Sequence, residues 1–236
     1  MRPAREVVPG VFVVNRTWGS NVYIITGSPV TVVDAGFPVD AGKITRCFGK
    51  GRLENPARVV ATHYHLDHMG SLARLKERFA ATAAAHAEDA AVIEGSAPYR
   101  MFHMDRLRTA YYSALVPLFF RYEHAAVEER LEEGDLVDAM GGLEVVLVGG
   151  HTPGSIALYQ AGRGILFSGD VLRNEKGVLD GPPPQFSPEI EEAFFNIREK
   201  VLGLEFDVLL PGHGEPVTRD AHGAVSRMMK ATGRLA

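Results

Sequence analysis

Thr62-His63-Tyr64-His65-Leu66-Asp67-His68 sets three histidines and an aspartate within six positions, directly after the apolar run at 58–61. Imidazoles and carboxylates are poor core residues unless something pairs with them. A metal ion, or two, satisfies all four together, and imidazole nitrogen with carboxylate oxygen is the donor set of zinc, iron or manganese. The preceding run is short and continuous, as in a strand buried on both faces. His63 and His65, two apart at the end of such a strand, project to one side and are placed to share one ion. Asp67 and His68 follow after the chain turns and face a neighbouring position.

On the N-terminal side, residues 11–15, 21–26 and 30–34 are β-branched or aromatic runs separated by Trp18-Gly19-Ser20 and Gly27-Ser28-Pro29. They predict a β-meander, followed by a helix over 39–48 that Gly49 and Gly51 stop. On the C-terminal side the pattern predicts a helix over 71–79, a strand ending at His86 and a helix over 87–94. The second half repeats the order: strands at 143–148, 156–160 and 165–168, a helix over 188–202, a strand at 207–210 and a helix over about 219–231. Ser187 reads as the N-cap of the first of these helices, with Pro188 in its first position. One stretch departs from the pattern. Residues 99–125 are rich in Met, Phe, Tyr and Arg and predict one or two amphipathic helices inserted between the halves, as a lid, a dimer surface or core.

Further polar residues stand at later strand ends: His151 after Gly149-Gly150, Asp170 after Ser168-Gly169, and His213 after Pro211-Gly212. A glycine directly before each allows a tight turn and close backbone approach, so that the side chain faces inward.

The array Thr62-His63-X-His65-X-Asp67-His68, His151, Asp170 and His213 resembles the metallo-β-lactamase superfamily. Val32-Val33-Asp34-Ala35-Gly36, His151-Thr152-Pro153-Gly154 and Pro211-Gly212-His213-Gly214 resemble it too, so five stations recur in order over nearly the whole chain. The resemblance implies an α/β fold, an αββα sandwich of two mixed β-sheets flanked by helices, with a dinuclear centre at one edge. It implies that His63, His65 and His151 hold one of two divalent metal ions, that Asp67, His68 and His213 hold the other, and that Asp170 bridges them. Zinc is the expected metal, with iron or manganese as alternatives. Asp34 matches a position that orients the histidines, against the plainer reading of a turn residue.

The chemistry of the residues agrees. Two divalent ions about 3.5–4 Å apart share a bridging hydroxide at neutral pH. That hydroxide attacks a carbonyl or phosphoryl centre while a metal polarises the substrate oxygen, as an oxyanion hole does. Asp67 and Asp170 are the expected catalytic carboxylates, Asp67 by orienting the hydroxide or relaying a proton. The expected reaction is cleavage of an ester-type bond (thioester, ester or lactone) in a small substrate. Two alternatives use the same fold: an acyl-homoserine-lactone-type lactonase and a mono-iron sulfur (persulfide) dioxygenase. Lactonases often carry a tyrosine shortly after the bridging aspartate, whereas here Val171-Leu172-Arg173-Asn174 follows. Arg173 is expected in solvent, or against an anionic group of the substrate. A metal-stabilised binding module is the non-enzyme alternative, disfavoured because structural zinc sites are closed and four-coordinate.

Size and charge narrow the classes. A chain of 236 residues, 46% hydrophobic and without a Ser/Pro/Gly-rich linker, is expected to be a single domain over 1–236. A net charge of −4 gives no basic footprint for nucleic acid. No run of 18 apolar residues is present for a membrane span, and the first ten residues lack the apolar stretch of an export signal. The 23 residues after His213 leave out the helical C-terminal domain that glyoxalase II enzymes add at this point. A single cysteine, Cys47, fits a reducing compartment and reads as a small buried hydrophobe rather than a nucleophile. A cytoplasmic protein with a small-molecule substrate is expected, as a homodimer if 99–125 pairs. Tyr64 is expected to pack or shield, and His86, His103, His124 and His222 to be structural or at the surface.

Overall fold

The computed structural model describes residues 3–49, 52–100 and 122–235. Seven strands form the first sheet, in spatial order β1 (Ala4–Val8), β2 (Val11–Val14), β3 (Tyr23–Ile25), β4 (Thr31–Val33), β5 (Arg58–Val60), β6 (Thr82–His86) and β7 (Glu129–Leu131). β1 to β4 pair antiparallel, as the meander predicts, and β4 to β7 pair parallel. The second sheet runs β14 (Val208–Pro211), β11 (Ile165–Gly169), β10 (Ile156–Gln160), β9 (Leu143–Leu147) and β8 (Leu136–Val137). In it only β11 and β14 are parallel. β12 (Arg173–Glu175) and β13 (Val178–Asp180) form a separate hairpin.

The central strands of both sheets are buried on both faces, and the period of two sorts their side chains into three apolar layers. Val32, Val59, Ala83 and Ala85 face out from the first sheet, onto Ile44 of α1 (Ala41–Thr45), Leu72 and Leu75 of α3 (Leu72–Phe79) and Ala90 and Ile93 of α4 (Ala87–Ile93). Their neighbours Val33, Val60 and Ala84 point inward and meet Ile156, Leu158, Ile165, Phe167 and Leu210 of the second sheet. Ala157, Tyr159, Leu166 and Leu209 face out again, under Phe194 and Ile197 of α5 (Ile190–Glu199) and Val225 and Met229 of α6 (Ala221–Ala231). Helix, sheet, sheet, helix is the αββα sandwich expected from the sequence. The Tyr23 and Phe167 rings pack edge to face across the sheets, with centroids 5.6 Å apart.

Several elements differ from the sequence reading. The helix predicted over 39–48 is one α-helical turn, Ala41–Thr45, after a 3₁₀ turn at Pro38–Asp40. α5 starts at Ile190 with Glu189 as its N-cap, so Ser187 does not cap it. β1, β7, β8, β12 and β13 carry mixed polar and apolar patterns and were not expected. Of the predicted insertion, residues 101–121, with His103 and the lid or dimer role, lie outside the described residues. Among the described residues no helix is long and apolar enough to cross a membrane.

Candidate metal centre

β4, β5, β6, β9, β11 and β14 deliver their C-terminal ends to one edge of the sandwich, where open α/β layers place their chemistry. Backbone contacts tie the edge together across the sheets: Ile156 N–H donates to Thr62 O (3.0 Å) and Asn21 N–H to Gly212 O (2.6 Å). Ala35 N–H donates to His68 O (2.6 Å). Short α2 (Leu66–Met69) turns the chain directly after His65, which carries Asp67 and His68 away from His63 and His65. A Cβ at position 212 would lie 2.7 Å from both Asp170 Oδ1 and His68 Cε1. A Cβ at position 169, where φ is +51°, would lie 2.6 Å from Thr62 Oγ1. Only glycine fits at either place.

All seven residues singled out in the sequence converge. His63 Nε2, His65 Nδ1 and His151 Nε2 lie 2.9–3.2 Å from one another. Asp67, His68 and His213 form a second group, with His213 Nε2 3.2 Å from Asp67 Oδ2 and 3.4 Å from His68 Nε2. Asp170 stands between the groups. Its Oδ2 lies 3.6 Å from His151 Nε2, and its Oδ1 lies 3.1 and 3.2 Å from His68 and His213 Nε2. These approaches lack hydrogen-bond geometry, and Oδ1 is a buried oxygen with no hydrogen-bond partner.

The outer nitrogens explain which way each ring presents its lone pair. Thr62 Oγ1 donates to Asp34 Oδ1 (2.9 Å) and so accepts from His63 Nδ1 (3.1 Å). Ser187 Oγ donates to Pro183 O (2.7 Å) and so accepts from His151 Nδ1 (2.9 Å). His68 Nδ1 donates to Asp34 Oδ2 (2.8 Å). With Nδ1 protonated, His63 and His151 turn bare Nε2 atoms toward each other and toward His65 Nδ1, while His68 faces the second group. Two bare Nε2 lone pairs 3.2 Å apart, on His63 and His151, repel unless a cation sits between them. Tetrahedral zinc with bonds of about 2.0–2.1 Å separates its donor atoms by about 3.3 Å, close to the spacing of the three-histidine group. The residues therefore fit a metal.

Charge follows the same division. Burial, reinforced by the neighbouring His68, holds His63 well below its ordinary pKa. Burial does the same for His151, and lowers His65 to about 4 against the pull of Asp67 and Asp170. These three rings are neutral at pH 7. Burial also opposes a charge on His68 and His213, but the carboxylates win. Asp34 and Asp170 hold His68 well above the usual range, and Asp170 and Asp67 raise His213 to about 10. Both carboxyls are held below their usual range despite burial, Asp67 mainly by His68 and Asp170 by His68 and His213. A cation entering this second group displaces protons from the two histidines.

The group opens on a cavity of about 320 Å³ lined by Phe37, Pro183, Phe186 and Gln185 beside His65, Asp67, Asp170 and His213. Asp67 and His213 are the ligand-type side chains that solvent reaches, at 22% and 24% exposure, while those of His68 and His151 are at 0%. Arg173, also at this cavity, is held by Gly181 O (3.0 Å) and Glu175 Oε1 (2.8 Å) rather than free in solvent.

Other sequence expectations sort out here. Asp34 is no plain turn residue: its carboxylate holds both Thr62 and His68 from a left-handed backbone conformation (φ 63°), a strained geometry found at functional sites. Tyr64 packs, its ring edge-on to His65 at 5.2 Å. His86 is structural, buried and accepting from Glu88 N–H at the start of α4. His222 bonds Leu202 O and His124 bonds Ile93 O. Cys47 is buried, and burial pushes its thiol up to about 11. Sequence reasoning missed Asp89 and the contact of Ser187 with His151. Asp89, at the start of α4, accepts from Tyr64 N–H (2.9 Å), Thr152 Oγ1 (2.7 Å) and Gly154 N–H (2.7 Å), and burial raises its carboxyl to about 6.

The profile of the metallo-beta-lactamase superfamily matches residues 15–213, and the chain belongs to that superfamily. It is a hydrolase with metal-binding His/Asp groups. The chain is 30% identical over 221 residues to the probable metallo-hydrolase YflN of Bacillus subtilis, covering 84% of this chain and 82% of the relative. It is 28% identical over 221 residues to the acyl-coenzyme A thioesterase MBLAC2 of Gallus gallus, with 82% and 72% covered. Among solved structures it resembles TTHA1623 in a di-iron-bound form, at 25% identity and a TM-score of 0.64, covering 89% of this chain and 93% of that one. It also shares the fold of BJP-1, a subclass B3 metallo-beta-lactamase of Bradyrhizobium japonicum, at 21% identity and a TM-score of 0.69, with 98% and 92% covered.

Proposed function

We propose that this chain is a dinuclear metallohydrolase that cleaves an ester-type bond (thioester, ester or lactone) in a small substrate. One observation carries the reading. Asp170 directs one carboxylate oxygen at each of two ligand groups, one histidine-only and more deeply buried, the other more open to solvent. His63, His65 and His151 would hold one ion, Asp67, His68 and His213 the other, and Asp170 both. Imidazole and carboxylate donors suit zinc, with iron or manganese as alternatives. When bound, such ions polarise a carbonyl oxygen and lower the pKa of water to about 7, supplying a nucleophile at neutral pH.

The protein's own residues do the rest. Asp67 is ionised and solvent-reachable, at 3.2 Å from His213 Nε2, so its carboxylate orients the attacking water, takes the proton that water gives up and passes it to the leaving group. Phe37, Pro183 and Phe186 give the cavity an apolar wall for the substrate's tail. Similarity to the acyl-coenzyme A thioesterase supports a thioester among the three bonds. A second reading, a mono-iron dioxygenase, uses the same donors, which accept iron; the di-iron-bound relative supports iron as the metal, with two ions rather than one. Elemental analysis of the purified protein, joined to turnover of thioester, ester and lactone panels and to oxygen uptake with a persulfide, decides between them. Two ions per chain with hydrolysis are expected. One iron with oxygen uptake and no hydrolysis refutes the proposal.

A further inference from the structure

Asp89 is fully buried, yet among the described residues no basic side chain forms an ion pair with it. A buried carboxylate without a counter-ion is costly, so what it holds needs accounting for. Its Oδ2 accepts from the backbone N–H of Tyr64, the residue between His63 and His65. The same oxygen accepts from the hydroxyl of Thr152, the residue after His151, and Oδ1 accepts from Gly154 N–H. Tyr64 follows the first sheet; Thr152 and Gly154 lie on the β9–β10 loop of the second. One carboxylate thus ties together the two segments whose rings must meet. The fit is tight: a Cβ at position 154 would lie 2.7 Å from Asp89 Oδ1.

We infer that Asp89 is the positioning residue of the three-histidine group, setting the separation between the His63–His65 segment and His151 through hydrogen bonds to both. The inference rests on the proposed reading of that group as a metal site. It gives a specific account of the sequence Ala87-Glu88-Asp89, in which an acidic residue at the start of a helix needs no more explanation than the helix dipole. Glu88 meets that need in the same turn. Asp89, with three donors from two remote segments, does something else.

The test uses zinc as the probe and the full chain. Asn at position 89 keeps the shape, and its single oxygen serves Tyr64 and Thr152, but its amide N–H₂ then faces Gly154 N–H. Asp89→Asn is expected to weaken zinc binding at the tighter site by about 10–100-fold in a chelator competition, the range seen when partners of metal ligands are removed. The visible spectrum of the Co²⁺-substituted protein is expected to change with it. Thr152→Val removes one donor and leaves both backbone bonds, so its loss is expected to stay below about tenfold. If Asp89→Asn fails to fold, Gly154→Ala tests the same contact by pushing on Asp89, whose carboxylate and backbone N would lie 2.7–2.8 Å from the new Cβ, with the same expected loss of zinc affinity. A melting temperature lowered equally with and without zinc, at unchanged zinc affinity and cobalt spectrum, overturns the positioning role and leaves a purely structural one. A wild-type chain that binds no zinc, cobalt or iron overturns the metal-site reading itself, and this inference with it.

Discussion

Replacing Ser187 with Ala removes one hydroxyl that serves two partners, and it separates two accounts of this residue. Ser187 is buried, as is His151. Its Oγ accepts from His151 Nδ1 at 2.9 Å and donates to Pro183 O at 2.7 Å. Without it, His151 Nδ1–H is a buried donor with no acceptor, at a cost of about 1–3 kcal/mol. The ring can escape by moving its proton to Nε2, but that nitrogen is the one aimed at His63 and His65. Either outcome weakens the three-histidine group as a metal site, by about 10–100-fold or roughly 1.4–2.7 kcal/mol. In a chain of 236 residues, the stability term corresponds to a fall in melting temperature of about 2–4 °C per kcal/mol. The assay is a chelator competition for zinc beside thermal unfolding of the metal-free protein. A helix cap alone would cost about 1 kcal/mol of stability and no metal affinity. Unchanged zinc binding within about twofold therefore refutes the assignment of Ser187 to His151.

Three further outcomes are expected. Asp170→Ala, and equally His65→Ala, removes a donor from the centre and is expected to abolish turnover together with metal content, read by elemental analysis; full turnover by a metal-free preparation sinks the mechanism. Chelation is expected to lower the melting temperature. At a free-ion concentration of about 1,000 Kd, binding adds about 4 kcal/mol, or roughly 8–16 °C at this size, recovered on adding zinc back. An identical melting curve with and without chelator counts against a resident ion. Burial holds the Cys47 thiol at about 11 against a usual 9, so at pH 8 the folded chain carries about 100-fold less thiolate than the unfolded one. The folded state keeps this proton longer, so its contribution to stability is constant below about pH 9 and falls as the pH rises beyond it. Labelling by a thiol reagent at pH 8 is expected to be slow until denaturant is added; fast labelling of the native protein refutes the burial argument.

Much of the centre was legible because its residues carry local signals. His63 and His65 follow the end of an apolar run, Asp67 and His68 belong to the same six-residue cluster, and His151, Asp170 and His213 come directly after a glycine; the period of such runs announces a strand wherever both faces are covered. The same reasoning failed at β1, β12 and β13, whose polar residues face solvent on one side and leave no continuous apolar run. It also misplaced Ser187. A serine before Pro188 looks like a helix cap, and nothing within a few residues reveals that its partner is a histidine 36 positions earlier.

Residue type and local spacing picked out the His/Asp cluster and the polar residues at later strand ends, because these depend on hydrophobic period and on turn chemistry over a few residues; the full donor set and the αββα class came with the family resemblance that those motifs carry. The partition of the donors into a deeply buried group and a more open one came from the packing of the two sheets. So did the contacts that orient them, of Asp89 with Thr152 across 63 residues and of Asn21 Nδ2 with Pro211 O across 190. A hydrogen bond holds only at about 3 Å, and which distant groups reach that distance is fixed by how the sheets stack.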